Sequence, residues 1–236
     1  MLDIIFPGLC ISCKQVSSGK HLCSRCYSEI RFIGSSGVCA ICGVPFNSYE
    51  NSVVQPSHKC ADCIKHEVSF KICRSIARLD GTIRDLLHSF KYRKKLAVGK
   101  FFSKLIKDNF PKELKQFDLI MPVPLHIDKL REREYNQSAV IVNFLSREFG
   151  CEKDLFTLFK STKTQPQVNF KDRRLRKKNI LKSFSVRDVK KVKKRSILLV
   201  DDVYTSGSTI NECAKVLMGS GADEVQALTL LRAVDI

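Results

Sequence analysis

Two adjacent carboxylates, Asp201 and Asp202, follow a run of four apolar residues, and a loop of small hydroxyl-bearing residues comes after them. We call this loop, Thr205-Ser206-Gly207-Ser208-Thr209, the phosphate loop. Its backbone N–H groups, its hydroxyls and the positive end of the helix predicted after it would bind one phosphate group. Carboxylates repel phosphate, so the two aspartates must face another group, and the vicinal hydroxyls of a ribose fit them. The pattern predicts a site for a ribose 5-phosphate unit, with Mg²⁺ near the C1 carbon.

Neither of the two common glycine-rich phosphate motifs is present in this stretch, since both G-x-x-x-x-G-K and G-x-G-x-x-G are missing. The plainer alternative is a surface turn in which a serine or threonine caps the following helix.

Eight of the 11 cysteines form four C-x-x-C pairs: Cys10/Cys13, Cys23/Cys26, Cys39/Cys42 and Cys60/Cys63. Two such pairs can complete a tetrahedral shell of four thiolates, which suits Zn²⁺. We therefore predict two structural zinc ions that activate no water. The order of pairing stays open, because the first pair could join the second or the third.

Two alternatives to this metal assignment exist. The pairs could be redox-active dithiols, although such a dithiol needs one pair on a βαβ scaffold rather than four in a loop-rich segment. A histidine could replace a cysteine ligand, the candidates being His21, His58 and His66. The isolated cysteines are assigned no role; they are Cys73, Cys151 and Cys213.

The elements that must position these groups follow from the hydrophobic pattern. Strands are predicted at 69–79, 117–123, 155–160, 183–186, 196–200 and 224–233, and helices at 82–110, 136–149 and 208–221. The first helix is expected to break near Gly99 and to end at Pro111. This alternation predicts an α/β fold, a parallel sheet with flanking helices, over residues 67–236. A small zinc-ribbon module over residues 1–66 precedes it.

The charge is large and uneven. The chain has 41 Lys and Arg against 24 Asp and Glu, a net +17, and residues 171–195 alone hold 13 basic and 2 acidic side chains. Such a surplus indicates a polyanionic partner, and we predict single-stranded DNA. The alternative is that the charge only maintains solubility or steers a small anionic substrate.

The remaining composition narrows the location. No apolar run approaches the roughly 18 residues of a membrane span, and the first residues lack the basic and apolar regions of a signal peptide. We therefore expect a cytoplasmic protein.

The stretch 197–209 resembles the phosphoribosyl pyrophosphate (PRPP) motif of type I phosphoribosyltransferases. Together with the four C-x-x-C pairs, the stretches 80–92, 121–138 and 162–180 resemble the ComF family of competence proteins. In that family a double zinc ribbon precedes a phosphoribosyltransferase domain, and the proteins are linked to natural transformation. Glu134 stands where the family usually has glycine, which makes the geometry of this turn a point to test.

The resemblance implies roles for individual residues. Asp201 and Asp202 would hold the ribose hydroxyls of PRPP, and the phosphate loop its 5-phosphate. The Pro122-Val123-Pro124 turn lies where similar enzymes place the pyrophosphate loop. Candidates for further contacts with PRPP are Arg131, Arg133 and Lys163, the last in a basic stretch, 163–176, that would cover the site. Arg131 and Arg133 could instead be exposed charges.

The implied reaction is displacement of pyrophosphate from the ribose C1 carbon of PRPP, with Mg²⁺ as the cofactor. The sequence shows no evident general base and no acceptor site. The resemblance also implies a helicase-type competence protein as a partner. The alternative is a non-catalytic DNA-binding or nucleotide-sensing protein on the same fold.

Overall fold

The computed structural model describes residues 8–17, 21–46, 57–92, 96–114, 116–161 and 183–234. The helices in these ranges are α1 (Ser24–Ser28), α2 (Ala61–Lys65), α3 (Gly81–Tyr92), α4 (Leu96–Asp108), α5 (Ile127–Arg133), α6 (Gln137–Phe149) and α7 (Ser208–Gly219). The strands are β1 (Ile72–Arg78), β2 (Leu119–Pro122), β3 (Glu152–Lys153), β4 (Leu158–Lys160), β5 (Phe184–Val186), β6 (Ser196–Tyr204) and β7 (Glu224–Arg232).

Five parallel strands form the central sheet, in the order β1-β7-β6-β2-β3. β6 lies in the middle and is paired along nearly its whole length with β7, for example Val200 with Leu228. Parallel strands buried on both faces need continuous apolar sequence, and residues 197–200 supply it. The predicted α/β class with a parallel sheet is confirmed.

Alternate side chains of β6 enter different hydrophobic clusters. Leu198 and Val200 pack with the buried faces of α3, α4 and α6, whereas Ile197 and Leu199 pack with the buried face of α7. Successive side chains of a strand point to opposite faces, so the sheet has helices on both sides. Each large side chain that is fully buried here contributes roughly 1.5–3 kcal/mol of transfer free energy.

The region 82–110 divides into two helices, as predicted, but the division is not at Gly99. Gly99 lies inside α4, and a Cβ built there would come within 2.9 Å of Cε2 of Phe90, on α3. The glycine therefore permits the two helices to approach closely instead of ending one of them. Residues 93–95, between α3 and α4, lie outside the described residues.

The strand predicted at 196–200 is longer than expected. β6 continues to Tyr204, so Asp201 and Asp202 belong to the strand instead of following it. The apolar run ends at Val200, but pairing with β7 continues through Tyr204 opposite Arg232. Backbone pairing, rather than side-chain burial, sets the end of this strand.

Two of the predicted strands, β4 and β5, lie outside the central sheet. Of the strand expected at 155–160, only Leu158–Lys160 is extended, and it pairs antiparallel with β5 outside the central sheet. Asp154 accepts hydrogen bonds from the backbone N–H groups of Phe156 and Thr157, which makes a turn before β4. α5 and the two-residue strand β3 were not predicted.

The cysteine-rich segment packs on the sheet domain. Cys10 and Cys26 belong to the hydrophobic cluster that contains α3 and α4, and Cys39 and Cys42 belong to the cluster that contains α7. The predicted domain boundary at residue 66 stays a prediction. Cysteines of both halves of the segment contact the hydrophobic clusters of the sheet domain.

The linker between the two halves of the cysteine-rich segment covers an edge of the sheet. The N–H of Ile33 donates to the carbonyl of Ile76 (2.9 Å), and the N–H of Arg78 donates to the carbonyl of Arg31 (2.8 Å). These bonds give β1 a partner on its outer side and thereby protect an otherwise open edge. Among the described helices, none is long and apolar enough to span a bilayer.

Candidate functional site

The eight paired cysteines form two separate clusters. Cys10, Cys13, Cys23 and Cys26 make the first, and Cys39, Cys42, Cys60 and Cys63 the second, with all ligand atoms of a cluster within 4.8 Å of one another. The first pair therefore joins the second and the third joins the fourth, so the crossed arrangement is wrong. In the described chain neither cluster contains a histidine.

The spacing of the sulfurs fits zinc. The Sγ atoms of Cys13 and Cys23 are 3.7 Å apart, as are those of Cys42 and Cys60. A tetrahedron with Zn–S bonds of about 2.3 Å has edges of about 3.8 Å. The backbone N–H of Cys60 also donates to Sγ of Cys39 at 3.3 Å, a bond that stabilises a thiolate. The two clusters thus support two structural zinc ions.

One thiol in each cluster ionises easily. A hydrogen bond from the Cys42 thiol lowers the pKa of Cys39 to about 4, although burial acts in the opposite direction. Burial also raises the pKa of Cys10, but backbone N–H groups, including those of Cys23 and Cys13, outweigh it and bring the pKa to about 6. Both shifts favour the thiolate, which is the form that binds Zn²⁺.

The phosphate loop connects the end of β6 to the start of α7. Gly207 is the N-cap of α7 with φ of +73°, a conformation that favours glycine. The hydroxyls of Ser206 and Ser208 lie 2.9 Å apart on the same side of the loop. A Cβ on Gly207 would lie 2.1 Å from the Tyr204 hydroxyl, so the loop rests directly on that ring. A larger residue at 207 would therefore displace the loop from the Tyr204 ring.

The two aspartates have different surroundings. Asp202 forms an ion pair with Lys91 of α3, with 2.6 Å between Oδ2 and Nζ, and both side chains are largely buried. Asp201 accepts hydrogen bonds from the Ser138 hydroxyl (3.3 Å) and from the backbone N–H of Asp202 (2.9 Å). Desolvation raises the pKa of Asp201 to about 7, and the charge of Asp202 acts in the same direction. Unlike Asp202, Asp201 has no ion-pair partner among the described residues, so it retains capacity to accept hydrogen bonds from a ligand.

Three lysines near this pair were missed by the sequence analysis. Lys91 contacts Asp202 directly, and Lys129 and Lys160 lie within electrostatic range of the aspartates. Desolvation lowers the pKa of Lys129, and Arg133 and Lys91 lower it further. Desolvation likewise lowers the pKa of Lys160, with Lys129 acting in the same direction. Lys91 lies within the stretch 80–92, but no pattern marks the other two.

The two candidate arginines of α5 are placed differently. The guanidinium of Arg133 donates to Gln137 Oε1 and to the Tyr92 hydroxyl, both at 3.3 Å, and lies 5.2 Å from the Tyr92 ring. It thus joins α5 to the end of α3 that holds Lys91. Arg131 is exposed. Lys163 lies outside the described residues, as does the stretch 163–176.

The turn at Glu134 keeps the backbone of a glycine. Glu134 has φ of +65° and caps the C-terminus of α5, and Asn136 then caps α6. The Asn136 side chain also donates to the carbonyl of Val123 at 2.9 Å, which ties this turn to the Pro122–Pro124 turn. The left-handed turn therefore forms with Glu134 at the position where the family usually has glycine.

The basic segment 171–195 is only partly described, from residue 183 onward. Two of its cations are paired, Lys191 with Asp154 (3.1 Å) and Arg195 with Glu152 (2.5 Å). Three further lysines are exposed: Lys190, Lys193 and Lys194. In the cysteine-rich segment, Tyr27 and Phe32 form a partly exposed pair with ring centroids 5.8 Å apart. Phe46 packs against His58.

Comparison with known proteins identifies two domains in the chain. Residues 1–64 match the model of the double zinc ribbon domain, and residues 136–234 match the model of the phosphoribosyl transferase domain. The first match contains both cysteine clusters, and the second contains the aspartate pair and the phosphate loop.

The chain is similar to known proteins over nearly its whole length. Competence protein F of Haemophilus influenzae is 31% identical over 97% of this chain and 98% of its own length. DNA utilization protein YhgH of Escherichia coli is 28% identical with the same coverage, and competence protein ComFC of Bacillus subtilis is 27% identical over 91% of this chain and 85% of its own. The full-length match, the paired ribbons and the phosphoribosyltransferase fold together show that the chain belongs to the ComF family of competence proteins.

Proposed function

We propose that the chain binds PRPP with Mg²⁺ at the end of β6 and transfers its phosphoribosyl group. The observation that supports this most directly is that the phosphate loop directly follows the strand that holds two carboxylates, one paired with a lysine and the other not. A 5-phosphate fits the loop, which offers N–H groups at the start of α7 and the hydroxyls of Ser206 and Ser208. A larger residue at 207 would collide with Tyr204 and displace the loop.

The ribose hydroxyls would bind the aspartates. Ionised Asp201 accepts only two hydrogen bonds from the described residues, from Ser138 and from its neighbour's backbone, so it retains capacity for a diol. Asp202 is held in place by Lys91. Because the pKa of Asp201 is raised to about 7, binding of a diol to the ionised carboxylate should strengthen as the pH rises through neutrality.

The pyrophosphate would meet the cations around the aspartates. Lys91, Lys129 and Lys160 approach from α3, α5 and β4, and two of them have pKa values lowered by burial. An anionic ligand would relieve the repulsion between Lys129 and its cationic neighbours. Bound Mg²⁺ would neutralise charge on the leaving pyrophosphate. The chain's own part is to orient C1 and to stabilise the charge that develops there.

Calorimetry tests this binding. Replacing both Asp201 and Asp202 by Asn should weaken PRPP binding in the presence of Mg²⁺ by on the order of 2–4 kcal/mol, because the ribose hydroxyls then lack their charge-assisted hydrogen bonds. Asp85→Asn is the matched control, since that carboxylate is exposed on the same helix as Lys91. If the double variant binds PRPP as tightly as the wild type, the site is elsewhere. A screen of nucleobases for pyrophosphate release then tests transfer.

We further propose that the protein handles single-stranded DNA during natural transformation, together with a helicase-type partner. The support is the excess of basic residues and the names of the relatives, which are competence and DNA utilization proteins. The pair Tyr27 and Phe32 offers partly exposed rings on which bases could stack. The thiolate clusters require a reducing compartment, which supports the expected cytoplasmic location.

Fluorescence anisotropy with a labelled oligonucleotide across a salt series tests this second proposal. Replacing the exposed lysines Lys190, Lys193 and Lys194 by Gln should flatten the log–log salt slope, by about 0.7 for each DNA phosphate that is no longer neutralised. The matched control replaces three exposed lysines of other surfaces: Lys100, Lys104 and Lys112. Absence of binding at low salt, with PRPP binding intact, would favour an enzyme whose charge serves its small substrate.

A further inference from the structure

Two buried arginines hold the second cysteine cluster against the sheet. The guanidinium of Arg232, at the end of β7, donates to the carbonyl of Cys42 (2.6 Å) and lies 3.4 Å from its Sγ. Arg74, on β1, donates to the carbonyls of Cys39 and Ala40, both at 3.4 Å. Both residues are more than nine-tenths buried.

Arg232 also contacts the residue on which the phosphate loop rests. Its guanidinium lies 4.0 Å from the centroid of the Tyr204 ring, and the two residues are paired in register between β6 and β7. The N–H of Ala233 donates to the carbonyl of Tyr204 at 2.9 Å, so the backbones are fixed as well. Beyond the ring, the Tyr204 hydroxyl occupies the space where Gly207 would carry a Cβ. A continuous chain of contacts thus joins Cys42 to the phosphate loop.

The charge of Arg232 explains why zinc would matter to this chain. Its contacts in the described chain are a carbonyl, a sulfur and an aromatic ring, and its Nε has no hydrogen-bond partner there. A buried cation needs a counter-charge. Four thiolates around Zn²⁺ are doubly negative, so a filled cluster would place a counter-charge next to the Arg232 guanidinium.

We propose that Arg232 and Tyr204 are positioning residues that couple zinc in the second cluster to phosphate binding at residues 205–209. Bound zinc would fix the position of the Arg232 guanidinium, and the guanidinium would fix the Tyr204 ring. The ring in turn would fix the position of Gly207 in the loop. Linkage requires the converse: a phosphate ligand in the loop strengthens zinc binding at the second cluster. The inference rests on the proposed function, because the loop is taken as the phosphate site.

The test measures zinc release to a chelator, with and without ribose 5-phosphate, and assigns each cluster by alkylation of the freed cysteines. In the wild type, ribose 5-phosphate should slow release from the second cluster by about tenfold, within the range of ordinary allosteric coupling, and leave the first cluster unchanged. Arg232→Met should abolish this effect. Arg74→Met, the matched control, should speed release but keep the effect, because Arg74 holds the same cluster through Cys39 and Ala40.

A second readout needs no ligand and separates the two proposals. Amide hydrogen exchange at 205–209 should accelerate in Arg232→Met and after removal of zinc from the wild type, but not in Arg74→Met. Tyr204→Phe should keep its zinc yet show a smaller ligand effect, because the hydroxyl under Gly207 is gone.

The outcomes are distinct. If the wild type does not bind ribose 5-phosphate, the proposed function fails, while the exchange experiment still decides on the coupling. If ribose 5-phosphate binds but slows release from both clusters equally, or if removal of zinc leaves exchange at 205–209 unchanged, the coupling is overturned. These last two measurements use only the wild type, so they hold even where Arg232→Met does not fold.

Discussion

Asp201→Asn should stabilise the protein progressively as the pH rises. The pKa of Asp201 is raised from 3.8 to about 7, chiefly by desolvation, so the folded protein holds a proton that the unfolded chain releases. The stability that this proton supplies is present below pH 4 and is lost as the pH rises through 7. For a single group with these two pKa values, the loss between pH 5 and pH 8 is about 2–3 kcal/mol. An asparagine does not titrate, so the Asp201→Asn variant should not lose this stability.

Urea unfolding followed by circular dichroism gives the required measurement, since the chain has no tryptophan. The difference in unfolding free energy between Asp201→Asn and wild type should rise by about 2–3 kcal/mol from pH 5 to pH 8. Because both proteins hold the same cysteine clusters, the pH dependence of zinc binding cancels in this difference. A difference that stays constant across this range would refute the reasoning.

Asp202→Asn is the matched comparison, and its effect has the opposite sign. Asp202 is paired with Lys91, and both side chains are largely buried. Removing one partner leaves an uncompensated charge, which should cost about 2 kcal/mol or more at pH 8. Neighbouring aspartates in one strand should therefore respond oppositely to the same substitution.

Metal analysis of protein purified without chelator should give about two equivalents of zinc, and Cys10→Ser and Cys39→Ser should each lose about one. The finding of a full complement in either variant would contradict the assignment of that cluster. Gly99→Leu should destabilise the protein by roughly 1–3 kcal/mol, measured by urea unfolding, because the added side chain meets Phe90; an unchanged midpoint would mean that α3 and α4 separate freely. Gly207→Val should abolish ribose 5-phosphate binding in calorimetry, because its side chain meets Tyr204 and its φ of +73° disfavours a branched residue. Retained binding would place the phosphate elsewhere.

The sequence predicted those features that depend on local pattern. Residues 197–200 are a continuous apolar run, so β6 and the parallel sheet were foreseeable. The C-x-x-C spacing likewise indicated the metal clusters. The order of pairing was not predictable, because it depends on how the two halves of the segment dock on opposite faces of the sheet.

Features set by contacts between distant residues were missed. Gly99 reads as a helix breaker in sequence, but its role depends on how close Phe90 lies across the helix pair. Lys129 and Lys160 look like ordinary surface lysines, and only the fold brings them near the aspartates. Arg232 has no signature at all, since its partner Cys42 is 190 residues away.

The strand order has a consequence for synthesis on the ribosome. β1 has β7 as its neighbour in the sheet, and Ser75 and Thr229, whose hydroxyls are hydrogen-bonded, are 154 residues apart. At ordinary elongation rates, β7 is synthesised on the order of ten seconds after β1. Its apolar residues are unpaired in the nascent chain, apart from the contacts at Arg31 and Ile33 that the preceding cysteine-rich segment can form at once. If the cysteine-rich segment folds around zinc as soon as it is synthesised, it would shield the outer edge of β1 until β7 emerges from the ribosome.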